Sequence, residues 1–174
     1  MIGAEQLEDK LGEIVTVWGK LEKPTQLAAG NIDVKTAKRV NNALVVCWAV
    51  GDIDIKYLTF SSRLVCGNLG LLLAVPKGQG RGRFSRAIAG LDAVFSQDEL
   101  RIIDWGGEAG ADRDDLSTLT TLVNDEDLDF GEILSETGEP NHMNVSRIEE
   151  VRDGDSAWMV RNVVIPAALY LELE

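Results

Sequence analysis

Four cations crowd one glycine-rich stretch, Lys77-Gly-Gln-Gly-Arg-Gly-Arg-Phe-Ser-Arg86, between an apolar run and a helical pattern. Anions bind at such junctions, because free N–H groups and the helix dipole point at them. Lys77, Arg81, Arg83 and Arg86 add positive charge there. The spacing is not that of a phosphate-binding Walker loop, since no Gly-Lys-Ser/Thr follows. Gly78-x-Gly80-x-Gly82 does not match the dinucleotide fingerprint either. The stretch therefore reads first as a flexible basic loop facing an acidic partner surface, next as an ordinary mobile connection, and last as a nucleotide site.

A second candidate is the acidic run around Asp125. Counting Asp125 as the first position, Asp127, Asp129 and Glu136 fall at three, five and twelve, as a calcium loop needs. The sharp-turn position six is Phe130, however, and Gly131 comes one residue late. A solvated acidic loop is the better reading, and no metal is assigned. His142 is the single histidine, which excludes a multi-histidine metal site within one chain. No Gly-x-Ser-x-Gly elbow accompanies it. Cys47 and Cys66 lie in apolar or alternating runs, outside any Cys-x-x-Cys, and read as buried reduced thiols. No catalytic, cofactor or metal residue is assigned, and a non-enzymatic protein is expected.

Tryptophans are the remaining chemically distinctive residues. Trp18 and Trp48 sit in core-like patterns. Trp105 and Trp158 flank the acidic segment and are candidate interface anchors, because tryptophan is enriched at binding hot spots. With Lys77, Arg81, Arg83 and Arg86 they form the expected contact set.

The elements that would carry these residues follow from periodicity. Leu7, Leu11, Ile14, Trp18 and Leu21 recur at spacings of four and three, which predicts a core-facing helix ending near Pro24. Residues 43–50 form an apolar run bounded by Gly51-Asp52 and predict a buried strand. Residues 55–66 alternate, with Leu58, Phe60, Leu64 and Cys66 on one side, and predict a half-exposed strand. Residues 69–75 are a further strand or the continuation of a long bent one, since Gly67 permits a bulge. Phe84, Ile88, Leu91 and Phe95 predict a second helix, with Ser85 as its cap. Residues 100–105 read as a short strand. Leu116, Leu119, Leu122 and Val123 form a short helix behind Asp114 or Asp115, and Leu128, Phe130, Ile133 and Leu134 another. The closing run, Trp158 to Leu173, is extended, and Pro166 argues for an edge or a bulge. The expected fold is α+β. A mainly antiparallel sheet of four to five strands carries two amphipathic helices on one face, and a long acidic insertion (106–156) precedes the last strand.

The 174 residues suit a single domain. No apolar stretch is long enough to span a membrane, and the acidic N-terminus shows no secretory signal. Charge is unevenly spread. Residues 104–155 hold 16 acids against Arg113, Arg147 and Arg152, a net of −13, whereas the rest holds 13 acids and 14 bases. Such a surface does not favour generic DNA binding, which depends on Lys and Arg meeting phosphates.

The order of the stripe Leu7–Leu21, the run 43–50, the extended stretch 57–75, the helix 84–95 and the closing strand 158–173 resembles tail terminator proteins of long-tailed bacteriophages. The resemblance is one of layout and covers the first hundred residues and the last sixteen. It implies a structural virion protein that forms a ring, hexameric in that family, capping the tail tube and contacting the head-side connector. It implies no cofactor, no membrane and no sequence-specific nucleic acid. Its location would be the virion neck, and the host cytoplasm during assembly. The acidic insertion exceeds the basic plan of the family, so another neck or tail-completion protein is the near alternative. An acidic host-directed inhibitor is the alternative of a different class.

Overall fold

A computed structural model describes residues 3–30, 43–78, 81–95, 113–130 and 143–173. The chain runs α1 (Ala4–Glu22), β1 (Gln26–Ala29), β2 (Val45–Tyr57), β3 (Ser62–Pro76), α2 (Arg81–Phe95), α3 (Arg113–Val123), β4 (Leu128–Phe130), β5 (Asn144–Val145), β6 (Glu149–Asp153) and β7 (Ser156–Glu172). The fold is α+β, as the sequence predicts. The sheet is larger than expected, with seven strands among the described residues, ordered β1-β2-β3-β7-β4, while β5 and β6 also pair with β7. Among the described strands the β1–β2 pair alone is parallel, and the other pairings are antiparallel.

The predicted stripe of α1 is buried from Leu7 to Leu21. The helix stops where Lys23 enters the left-handed region and donates its N–H to the Gly19 carbonyl at 2.9 Å, just before Pro24. Glycines let α1 lie close to the sheet. A Cβ at Gly12 would meet the Trp48 ring at 2.8 Å, and one at Gly67 would meet Leu7 at 3.0 Å. Gly67 thus makes room for the helix; β3 and β7 stay in register through it.

The irregularity lies across the ladder instead. In β2 the register shifts between Gly51 and Asp54, and Asp52 takes a positive φ of 53°. One extra residue reverses the alternation. Before the bulge Val46, Trp48 and Val50 face the main core, and after it Ile53 and Ile55 do. The bulge keeps a 13-residue strand apolar toward the helices along its whole length.

The expected strand over 55–66 is corrected. Its first residues end β2 and its last begin β3, with a turn between them, so Leu58 and Phe60 are exposed and not buried. Ser85 lies inside α2 and does not cap it. The second acidic-segment helix is also corrected, because residues 128–130 are strand β4. The short strand expected at 100–105 falls outside the described residues. So do residues 106–112 and 131–142 of the acidic segment, Ile133 and Leu134 among them. What is described of that segment is built into the fold, since α3, β4, β5 and β6 all come from it and the three strands line β7.

Pro166 predicts an edge or a bulge, yet β7 is flanked on both sides and its register with β3 runs unbroken through Pro166. Asn162 donates its N–H to Ser146 Oγ at 2.9 Å, and Tyr170 donates to the Asp127 carbonyl at 2.8 Å, both away from β3. With a period of two, the Pro166 nitrogen points to that same side. There it meets the gap between the β5 pairing, which ends at Val164, and the β4 pairing, which starts at Ala167. No ladder donor is missed.

The main core joins the buried sides of α1, α2 and α3 to one sheet face, through Val65, Leu69, Leu71, Leu73, Val163, Ile165 and Leu169. A small second cluster on the opposite face holds Ala43, Val45, Ala74, Trp158 and Val160.

Candidate interaction surfaces

The structure divides the basic cluster at 77–86. Lys77 follows β3, and its Nζ meets Glu150 Oε2 of β6 at 2.9 Å. That contact, with Arg152 on the other carboxylate oxygen at 2.6 Å, holds the Glu150 carboxyl below its ordinary pKa. Arg83 lies within α2 and pairs with Glu22, whose side chain is 0% exposed. It also donates to the Glu22 carbonyl at 2.8 Å and the Lys23 carbonyl at 3.4 Å. One guanidinium therefore meets Oε1 of the last carboxylate and the orphan carbonyls at the end of α1, while the buried Glu22 Oε2 accepts no hydrogen bond among the described residues. Arg86 is exposed on α2, and Arg81 opens that helix. The expected flexible loop is thus largely the first turns of a helix, and Arg83 is committed inside the chain. That removes it from any phosphate or partner surface.

The acidic residues resolve differently from a calcium loop. Asp125 bonds Lys10 of α1, and its Oδ1 accepts the Asp127 N–H at 3.0 Å. The Lys10 contact holds the Asp125 carboxyl below its usual value. Leu128 N–H closes the turn on the Asp125 carbonyl at 3.0 Å, and Asp129 then points outward from β4 while Phe130 turns inward. The chain here is a tight turn into a strand, so its carboxylates do not converge. Among the described residues no group of three His, Cys, Asp or Glu side chains is placed to share an ion. Glu136 and His142 lie outside the described residues.

Trp158 is corrected as an anchor. It is 2% exposed, buried in the second cluster, and has almost no surface left for a partner. Trp105 lies outside the described residues. Both cysteines are free. Cys47 pairs in register with Leu72 and Cys66 with Asp54, so they sit six residues apart along β3, about 20 Å. A disulfide between them is sterically impossible here. Cys47 is buried as expected, whereas Cys66 is half-buried, and burial pushes its thiol pKa up.

Two surface features remain. On the face away from the helices, a shallow dent of about 240 Å³ is lined by Cys47, Ala49, Gly70, Leu72, Asn162 and Val164. Its lining carries one thiol and one amide but no charge, which offers little to polar chemistry. The second feature is the β2–β3 tip, which the sequence reading missed. Tyr57 is 74% exposed, Leu58 52% and Phe60 108%. The turn that presents them is ordered by Thr59. Its hydroxyl accepts the Ser61 and Ser62 N–H groups at 3.3 and 3.0 Å and bonds Ser62 Oγ at 2.6 Å. The signal was present as Thr-Phe-Ser-Ser, a hydroxyl-rich turn inside an otherwise alternating run.

No protein-family model matches this chain, and no curated protein does. No helix among the described residues is long and apolar enough to cross a membrane.

Proposed function

We propose that this chain is a non-enzymatic assembly protein of a phage tail, which works by contact with copies of itself and with its neighbours. In this reading it forms a ring, hexameric as in the terminators it resembles, that caps the tail tube and meets the head-side connector. It acts in the virion neck and assembles in the host cytoplasm.

The observation that carries the reading is the β2–β3 tip. Soluble chains seldom present an ordered cluster of large apolar side chains to water without a partner for it. Phe60 stands at the apex of such a cluster, and the hydrogen bonds of Thr59 hold it there. The open sheet adds a second support, because a sheet that does not close on itself leaves edges that neighbouring copies can extend or cover.

Negative-stain images of tail tubes from the phage in question, with and without the purified chain, test the proposal. A ring of density at one tube end is the expected result. Tubes that stay bare at both ends in saturating protein would refute it.

A further inference from the structure

The ring reading leaves open which surfaces meet, and the basic stretch at 77–86 is no longer the natural cationic partner, because Lys77 and Arg83 already pair with Glu150 and Glu22. Two other cations are better placed. Lys56 and Arg63 flank the β2–β3 tip, and residues 55–64 contain no acid. Arg63 lies over the Tyr57 ring at 5.1 Å, so the charge and the aromatic surface form one unit. Neither cation makes an ion pair among the described residues.

The complementary surface is the α3–β4 turn. Residues 125–129 carry Asp125, Glu126, Asp127 and Asp129 with no base. Lys10 engages Asp125, while Glu126, Asp127 and Asp129 are exposed and make no ion pair among the described residues. The turn is as ordered as the tip, through Leu128 N–H to Asp125 and Tyr170 N–H to Asp127.

Register fixes where the two surfaces sit. Ser62 pairs with Glu172 and Leu128 with Leu169, so tip and turn lie at one end of the sheet, on opposite sides of β7. We propose that this tip is the knob, and this acidic turn the socket, of a head-to-tail contact between copies of the chain. Knob and socket are different patches, so each copy uses one of each, and the contact closes into a ring if the rotation allows. Charge sets the pairing, and Phe60, Leu58 and Tyr57 supply the apolar burial. Together the three side chains expose on the order of 400 Å². That is about half of one partner's share of a standard interface, so the contact is reversible and strengthened by a tube beneath it.

This proposal rests on the assembly reading, and one experiment separates the two. The full-length chain is compared by native mass spectrometry, with and without tail tubes, against a knob variant (Leu58→Ser with Phe60→Ser) and a socket variant (Glu126, Asp127 and Asp129 all →Lys). All these positions are exposed, so unchanged circular dichroism is expected. The wild type should assemble. Each variant alone should be monomeric, with the dissociation constant raised on the order of tenfold or more. Mixed, the two variants should form a one-to-one dimer and stop there, since only one intact knob and one intact socket remain. Variants that assemble like the wild type overturn the knob-and-socket contact and leave the ring reading intact. Variants that keep the ring but lose the tube do the same, and they assign the tip to a different protein. A wild type that stays monomeric in every condition sinks the assembly reading itself.

Discussion

Arg83 shows how a residue's chemistry can be legible while its partner is not. A guanidinium in a glycine-rich basic stretch reads as a ligand for anions, and the anion it meets is Glu22, 61 positions earlier in the chain. Residue type announces the need for a carboxylate; only the packing of α2 against the end of α1 decides which one. The fully buried Glu22 makes the pair consequential. Arg83→Ala should lower stability by about 3 kcal/mol, because it strands a buried charge. Replacing both partners with apolar residues, Glu22→Leu with Arg83→Met, should recover most of that loss. Urea unfolding checks both, and a loss within error for the single substitution would show that the pair is solvated. Trp158 illustrates the opposite failure. Its type suits an interface, but it is buried with Val45 and Ala74 in the chain's own second core.

At the scale of elements, periodicity was informative wherever one element kept one period. The α1 stripe, the apolar start of β2, the core of α2 and the helix behind Asp114 and Asp115 are all where spacing placed them. Alternation failed at 55–66, because Leu58 and Phe60 continue the pattern through a turn that Thr59 closes by side-chain hydrogen bonds. A period of two cannot tell a strand from a hairpin whose tip happens to be apolar. The bulge at Asp52 was hidden for a related reason, since Gly51-Asp52 reads as a stop and instead re-phases a continuing strand. The link between α1 and the α3–β4 turn gives a pH dependence. Asp125 bonds Lys10, so its folded pKa lies below that of the unfolded chain, near 3.9. The pair therefore contributes fully above about pH 4, and its contribution is lost as pH falls through the depressed value. Lys10→Met should flatten the acid side of the stability profile below about pH 5, with a loss of up to about 1 kcal/mol at neutral pH. Thermal melts across that range would show it, and an unchanged acid limb would mean that the pair contributes nothing.

For the whole molecule, the acidic segment is the main revision. Composition marks 106–156 as an insertion, yet β4, β5 and β6 come from it and line one side of β7, and α3 comes from it and packs on α1. Net charge reports what faces water, and short strands can hide their pairing faces inside an acidic stretch. The proposed contact surface is legible in its ingredients, with acids in one region and aromatics in another, but not in its location, because alternation reads the turn at 58–61 as strand. Self-assembly is the claim on which the rest depends, and the native mass of the purified chain over a range of concentrations measures it most directly. Self-assembly gives a discrete species at a small whole-number multiple of 19.0 kDa, favoured at higher concentration or by added tail tubes. A single 19.0 kDa species at every concentration, with tubes and without, would contradict it.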